Sequence, residues 1–314
     1  MNWTEIDTWI VITGALISMA CAIPGTFLQL NKQSMLGDAI SHAVLPGIAI
    51  AFLCSGRKDP IPMLIGAALA GLFTALLSNI IHRHGKVDTG AALGVVFCSF
   101  FALGLILIRV AADHVDLDPS CVLYGAIELA VIDGGIVPQV VWLSGGIFAL
   151  NLVLVFIFYK ELRVAAFDPR FAETVGIPST AIHYGLTIIT AITTVVAFES
   201  VGSILVIAML IVPGATALLL SHRVGGVLGI SLLLAATSAI GGHIAAISVA
   251  PAILAKLTGH LEIGALSSAG MMAASTGFIF FAVLAAKGIA RRFARPKSVR
   301  AGTGEIASAA LPLN

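Results

Sequence analysis

Long apolar stretches separated by short polar segments run along most of the sequence. Each stretch is long enough to cross the roughly 30 Å hydrocarbon core of a bilayer as an α-helix. The pattern predicts nine spans, at residues 8–30, 35–54, 61–82, 91–112, 141–159, 181–199, 201–220, 226–250 and 267–287. Two of these spans meet near residues 199–202 with almost no polar linker between them. A broken or re-entrant helix is therefore an equally good interpretation of that junction.

The composition excludes a water-soluble globule. Hydrophobic residues make up 59% of the 314 residues, charged residues only 11%, and the mean hydropathy is +1.05. A soluble domain of this size cannot bury so much apolar surface, so we predict an all-α, polytopic integral membrane protein. The net charge of +1 argues against nucleic acid as a partner, because a phosphate-binding surface is strongly basic.

The charges between the spans predict an orientation. Basic segments alternate with acidic or mixed ones, and the basic ones are Lys32, residues 82–86, residues 160–170, His222 with Arg223, and the tail from Lys287. The positive-inside rule assigns these segments to the cytoplasm, with the N-terminus outside and the C-terminus inside.

The same reasoning divides the chain into two parts. Residues 1–287 form a transmembrane domain that includes a cytoplasmic segment at about 160–178. Residues 288–314 form a basic cytoplasmic tail, which we interpret as a topology and lipid-surface anchor.

Asp38 and His42 are the strongest candidates for chemistry. They lie four residues apart in the second span, so they share one face of a helix. Ionisable groups inside a span usually face a partner, a cavity or a transported ion. A carboxylate and an imidazole together suit divalent metals such as Mn, Fe and Zn, and we predict that they form half of a metal site.

Two ligands are too few to hold a metal alone. If two copies of the span face each other across a twofold axis, the site gains two carboxylates and two imidazoles, enough for a four-coordinate ion. The structural alternative is a polar pair that fixes helix packing near the inner surface, with Asp38 close to the headgroups.

Three Pro-Gly pairs fall inside predicted spans, at Pro24-Gly25, Pro46-Gly47 and Pro213-Gly214. Proline frees a backbone carbonyl one turn earlier, so a kink is expected at each pair. At Pro46 the freed carbonyl belongs to His42 and is available to an ion.

Other polar groups carry weaker signals. His82 and His84 lie beside Arg83 and Lys86 and are better interpreted as an anchor at the inner surface than as a metal site. Residues 113–118 are acidic. They either form an ordinary solvated loop, raise the local concentration of cations or dock a partner. His243 either lines the path or is a satisfied core histidine.

The chain lacks the phosphate-binding Gly-x-x-x-x-Gly-Lys-[Ser/Thr] loop, so any ATP hydrolysis must come from another subunit, and we predict no enzymatic activity. The best contact surface for such a subunit is the segment 160–178. There Asp168 is placed to cap a short helix that has Pro169 first, Glu173 inside and Gly176 as its stop. An ordinary amphipathic linker is the alternative.

The sequence LGDAISHAVLPG at residues 36–47 resembles the signature of the permease subunits of ABC importers for manganese, zinc and iron. The resemblance extends through blocks within residues 90–107, 116–125, 166–177 and 201–213. After Val224 it lies chiefly in hydropathy.

This resemblance implies a dimer of identical or paralogous permeases, two cytoplasmic ABC ATPases and an external metal-binding lipoprotein or periplasmic protein, in a bacterial cell membrane. It implies that Asp38 and His42 are metal ligands. It also implies that a coupling helix contacts the ATPase, with the residues Phe167, Asp168, Pro169, Glu173 and Gly176. The metal is then the transported substrate, and no cofactor is bound permanently.

Other classes of protein remain. An ion-coupled secondary carrier would need further acids inside the spans beyond Asp38 and the border-lying Glu199. A metalloenzyme would need three ligands on one chain and a general base. A siderophore or cobalamin permease would not require a paired acid and imidazole in its pore.

Overall fold

The computed structural model describes residues 3–56, 60–112, 127–131, 137–258 and 266–294. Within these ranges every regular element is a helix, as predicted. The thirteen helices are α1 Glu5–Leu30, α2 Ser34–Ser55, α3 Pro60–Gly85, α4 Thr89–Ala112, α5 Ile127–Ala130, α6 Gln139–Ile157, α7 Tyr159–Phe167, α8 Pro169–Thr174, α9 Ser179–Val201, α10 Ser203–Leu220, α11 Val224–Ile244, α12 Ala250–Thr258 and α13 Ser268–Ala294. A π-helical turn, Ala245–Val249, joins α11 directly to α12.

Among the described residues eight helical stretches are long and apolar enough to cross a membrane, and one of them, Val224–Ile253, runs from α11 through the π-helical turn into α12. They correspond to eight of the nine predicted spans, and the polytopic all-α class is confirmed. The ninth, α10, contributes a shorter apolar stretch over Leu205–Leu220. It follows α9 after Gly202 alone, whose φ of +76° is a left-handed value that favours glycine. The junction is thus a helix break with no polar linker.

The fold is built around α1. This helix packs against α6, α9, α10 and α11, while α2 lies between α3 and α4, and α13 covers α10 and α11. The centre of α1 is buried from Ile17 to Leu28, apart from Met19. Because lipid is as apolar as these side chains, close packing and polar contacts must hold such helices together.

Two of the three Pro-Gly pairs lie where helix backbones approach each other closely. Each proline lies inside a continuous helix, so none of the pairs ends its span. A Cβ on Gly25 would lie 1.8 Å from the Leu210 carbonyl oxygen, and one on Gly47 would lie 2.3 Å from that of Gly66. These glycines therefore let the backbones of α1 and α10, and of α2 and α3, come into direct contact.

The carbonyl that Pro24 frees has a partner on another helix. Proline at position 24 cannot bond the carbonyl of Ala20, four residues earlier. Asn151 of α6 donates its side-chain amide to that carbonyl at 3.0 Å and to Thr193 Oγ1 of α9 at 2.9 Å. One buried asparagine thus joins three helices and satisfies a carbonyl that lipid cannot solvate.

The C-terminal helix extends further than the sequence suggests. Sequence reasoning begins the basic tail at Lys287, yet α13 continues to Ala294 and residues 295–314 lie outside the described residues. The Lys287 ammonium donates to the Leu219 carbonyl in the last turn of α10. The ammonium group thus satisfies a carbonyl that the end of α10 leaves without a partner in the helix.

The close approach at Gly25 can be tested with an alanine. We expect Gly25→Ala to destabilise the protein by about 1–3 kcal/mol, because the methyl group has no space beside the Leu210 carbonyl. Gly146→Ala is the matched control, since no atom lies within 4 Å of a Cβ placed there. Thermal unfolding in detergent, followed by circular dichroism, measures both. If Gly25→Ala and Gly146→Ala unfold at the same midpoint temperature, the close contact at Gly25 is contradicted.

The Asn151 bridge can be tested by a double-mutant cycle. Asn151→Leu leaves the Ala20 carbonyl unsatisfied, and we expect it to lower the free energy of unfolding by about 1–3 kcal/mol. In a Pro24→Ala background residue 24 regains an N–H that can bond that carbonyl, so Asn151→Leu should cost less there. An equal cost in both backgrounds would mean that the carbonyl does not need the asparagine.

Candidate metal site and coupling segment

Asp38 and His42 lie on one face of α2, in its second and third turns. His42 Nε2 is 3.6 Å from Asp38 Oδ1, and the side chains are 21% and 44% exposed, respectively. The four-residue spacing therefore brings the pair together as predicted. Their exposure leaves room for a further atom between or beside them, as a site for an exchangeable ion requires.

Aromatic rings from α4 cover one side of the imidazole. The ring centroids of Phe97 and Phe101 lie 5.0 and 5.4 Å from that of His42. The Phe101 ring meets His42 edge to face, at an interplanar angle of 81°. Neither phenylalanine is recognisable from the sequence as part of the site.

No third His, Cys, Asp or Glu side chain joins the pair within the described part of this chain. Among the described residues no group of three or more His, Cys, Asp or Glu side chains is placed to hold a metal ion. Residues 113–118, the predicted acidic segment, lie outside the described residues. From the described residues the site thus receives one carboxylate, from Asp38, and one imidazole, from His42.

The segment 160–178 folds as its capping pattern predicts. The Asp168 carboxylate accepts the Phe171 N–H at 3.0 Å, Pro169 begins α8, and Gly176 follows it with a φ of +85°. Glu173 accepts a hydrogen bond of 2.6 Å from Ser179 Oγ at the start of α9.

This segment presents aromatic side chains outward. Phe167 is 64% exposed and Phe171 is 56% exposed. Phe167 ends α7 and Phe171 lies on the capped helix α8, and aromatic residues are enriched at protein interfaces.

His82 and His84 are exposed at the end of α3 and contact backbone. Their Nδ1 atoms lie 2.7 Å from the Val87 carbonyl oxygen and 3.2 Å from that of Ile80, respectively. Both contacts are local to the helix end, and nothing there resembles a metal centre.

His243 belongs to a polar junction that sequence reasoning missed. The ring is 1% exposed, with Nε2 3.4 Å from Asp7 Oδ1 and Nδ1 3.1 Å from Ser268 Oγ. The Ser268 N–H in turn donates to Glu128 at 2.8 Å. We call Trp3, Thr4, Asp7, Glu128, His243 and Ser268 the N-terminal junction, and in it the ends of α1, α5, α11 and α13 meet.

Asp7 is held in the junction by its own helix cap. The Thr4 N–H and hydroxyl both donate to Asp7 Oδ2 at 2.7 Å, while Thr4 accepts from the Asp7 N–H. This capping box turns Oδ1 toward His243. The Thr-x-x-Asp spacing is a sequence signal for the cap, but nothing in the sequence points to its partner on α11.

The sequence matches the ABC 3 transport family over residues 4–267. It is 44% identical over 245 residues to the manganese transport system membrane protein MntD of Bacillus subtilis, covering 76% of this chain and 83% of the relative. It is 35% identical over 276 residues to the zinc transport system membrane protein TroD of Treponema pallidum, covering 86% and 71%.

Among solved structures, the fold is similar to PsaBC from Streptococcus pneumoniae in complex with Fab. The TM-score is 0.73 at 30% identity, and the alignment covers 90% of this chain and 91% of that one. Together with the helical bundle, these similarities confirm the resemblance that begins at residues 36–47. The chain belongs to the ABC 3 transport family and is a multi-pass, non-enzymatic permease component of a bacterial ABC importer for metal ions.

Proposed function

We propose that a divalent transition metal, Mn, Zn or Fe, passes inward between two permease subunits and is held on its way by Asp38 and His42. The observation that carries this proposal is the pair itself, an acid and an imidazole 3.6 Å apart on one face of a helix with both side chains accessible. Relatives named for manganese and zinc transport support the substrate class.

The incomplete ligand set suits transport. A transported ion must bind strongly enough to enter the pore and weakly enough to leave it. One permease offers two donors, and a second copy facing it across a twofold axis offers two more, which gives the four that a tetrahedral ion takes. The second permease is either an identical chain or a paralogue.

We propose that the coupling helix α8 transmits ATP-driven motion to the pore. In this mechanism two cytoplasmic ATPases close on ATP, move α8 through Phe167 and Phe171, and change the side to which the pore opens. The cap at Asp168 and the Glu173 to Ser179 hydrogen bond make α8 a rigid extension of α9. Pro169 and Gly176 limit the helix at its two ends.

The proposed orientation follows from the charges. The N-terminus lies outside the cell and the C-terminus inside, so that α8 faces the ATPases. An external metal-binding lipoprotein or periplasmic protein then delivers the ion to the opposite surface. No cofactor is resident in this scheme, and the metal is cargo.

Metal uptake into vesicles tests the proposed site. With the cognate ATPases and binding protein present, we expect Asp38→Asn and His42→Ala to reduce the initial rate at least about tenfold, since each removes one of two donors. His84→Ala, at an exposed histidine outside the pair, is the matched control. The ranking of Mn, Zn and Fe(II) with the wild type names the metal.

Assembly and ATP binding must persist in these variants for the comparison to hold. If both variants transport at the wild-type rate, Asp38 and His42 are a structural pair and the proposal is wrong.

Association with the ATPase tests the coupling helix. We expect Phe171→Ala to weaken ATPase binding by about 2 kcal/mol, or roughly thirtyfold, because truncating an aromatic anchor is costly at an interface. Phe278→Ala on α13, where the ring is 77% exposed, removes an equal amount of side chain elsewhere. Titration of the detergent-solubilised permease with ATPase measures both. If Phe171→Ala binds the ATPase with unchanged affinity, α8 is not part of the interface.

A further inference from the structure

Phe97 and Phe101 form the wall of the site on the α4 side. They are four residues apart on α4 and therefore share one face of it, just as Asp38 and His42 share one face of α2. Their rings contact the imidazole at two angles, with interplanar values of 49° and 81°. Two rings at different angles restrict rotation of the imidazole about both of its side-chain torsions.

A close helix contact holds these rings in register. Gly104 lies about one turn after Phe101 on α4, and a Cβ there would be 2.9 Å from both Leu45 Cβ and Pro46 Cδ of α2. The two helices are thus already in contact one turn after His42. Because α4 has no space to approach further, the rings of Phe97 and Phe101 meet the imidazole at a fixed height.

The side of the site that the two phenyl rings cover offers no ligand to a metal ion. A phenyl ring carries no lone pair that a transition metal binds, and it excludes water from the surface that it covers. Water and further ligands can therefore approach the pair only on the sides that α4 leaves open, where Asp38 is 44% exposed. A second permease would have to approach on such an open side.

We propose that Phe97 and Phe101 are positioning residues of the metal site, an inference that rests on the proposed function of Asp38 and His42. They touch no metal. They hold the His42 imidazole beside the Asp38 carboxylate before the ion arrives, and they direct the remaining ligands to the open side. Ordering the imidazole in advance removes a cost that metal binding would otherwise carry.

The experiment compares Phe97→Leu and Phe101→Leu with Phe100→Leu. Phe100 lies on the same helix, is also half-buried, and lines an apolar groove formed by α2, α3 and α4. Phe97→Met and Phe101→Met supply unbranched side chains without a ring, in case a leucine variant fails to fold. The thermal midpoint of every variant establishes that the bundle is intact.

Two readouts separate positioning from a merely structural role. The first is the rate at which diethyl pyrocarbonate modifies His42, followed by peptide mass spectrometry, which requires no metal. We expect it to rise at least about threefold when either ring is removed. The second is equilibrium dialysis of Mn²⁺ and Zn²⁺ against the assembled permease, where we expect dissociation constants to rise about three- to tenfold.

The inference is overturned if the Phe97 and Phe101 variants match Phe100→Leu in both readouts while Asp38→Asn and His42→Ala still reduce metal uptake. In that case the proposed function stands without the wall. If Asp38→Asn and His42→Ala transport normally, the proposed function fails and the positioning role fails with it, and faster modification of His42 would then report packing alone.

Discussion

Direct contact between helix backbones is the constraint on which this bundle depends. Where α1 meets α10 and α2 meets α3, glycine lies against a carbonyl of the neighbouring helix, and no side chain of any size fits between them. In water, burial of apolar surface would stabilise such a core, but in lipid that driving force is absent. Stability then depends on dispersion contacts at the shortest distance and on polar groups that satisfy each other inside the protein.

The second helix is where this packing and the proposed chemistry meet. Within ten residues, α2 carries the acid, the imidazole, a proline against Gly104 and a glycine against Gly66. The neighbouring helices are therefore in contact with α2 next to the site. A change in packing at Pro46 or Gly47 would therefore shift His42 relative to Phe97 and Phe101. The residues clustered at positions 38–47 thus serve helix packing as well as the proposed metal site.

Sequence reasoning succeeded where the relevant neighbours lie within one helix turn. The spans, the Asp38 to His42 proximity and the cap at Asp168 all follow from spacings of three or four residues or from hydropathy. It failed where neighbours are distant in sequence. Asn151 with Ala20, and His243 with Asp7, meet only because of how helices pack, and periodicity within a helix contains no information about that.

The Pro-Gly pairs show the same limit in a different form. The chemistry of proline predicts a freed carbonyl and a kink. In the structure all three prolines lie inside continuous helices, and Gly25 and Gly47 are contact points with neighbouring helices. Asn151 donates a hydrogen bond to the freed carbonyl of Ala20. Which residue would do so was not predictable, because the donor comes from a helix more than a hundred residues away.

The N-terminal junction changes how the beginning of this chain is to be regarded. Hydropathy treats residues 3–7 as a polar approach to the first span. In the structure Trp3 contacts the His243 ring, and Thr4 orients Asp7 toward it. Although Trp3 is 46% exposed, these residues therefore take part in the packing of the bundle, and a purification tag or truncation that unwinds the first turn of α1 would remove its contacts with His243 on α11.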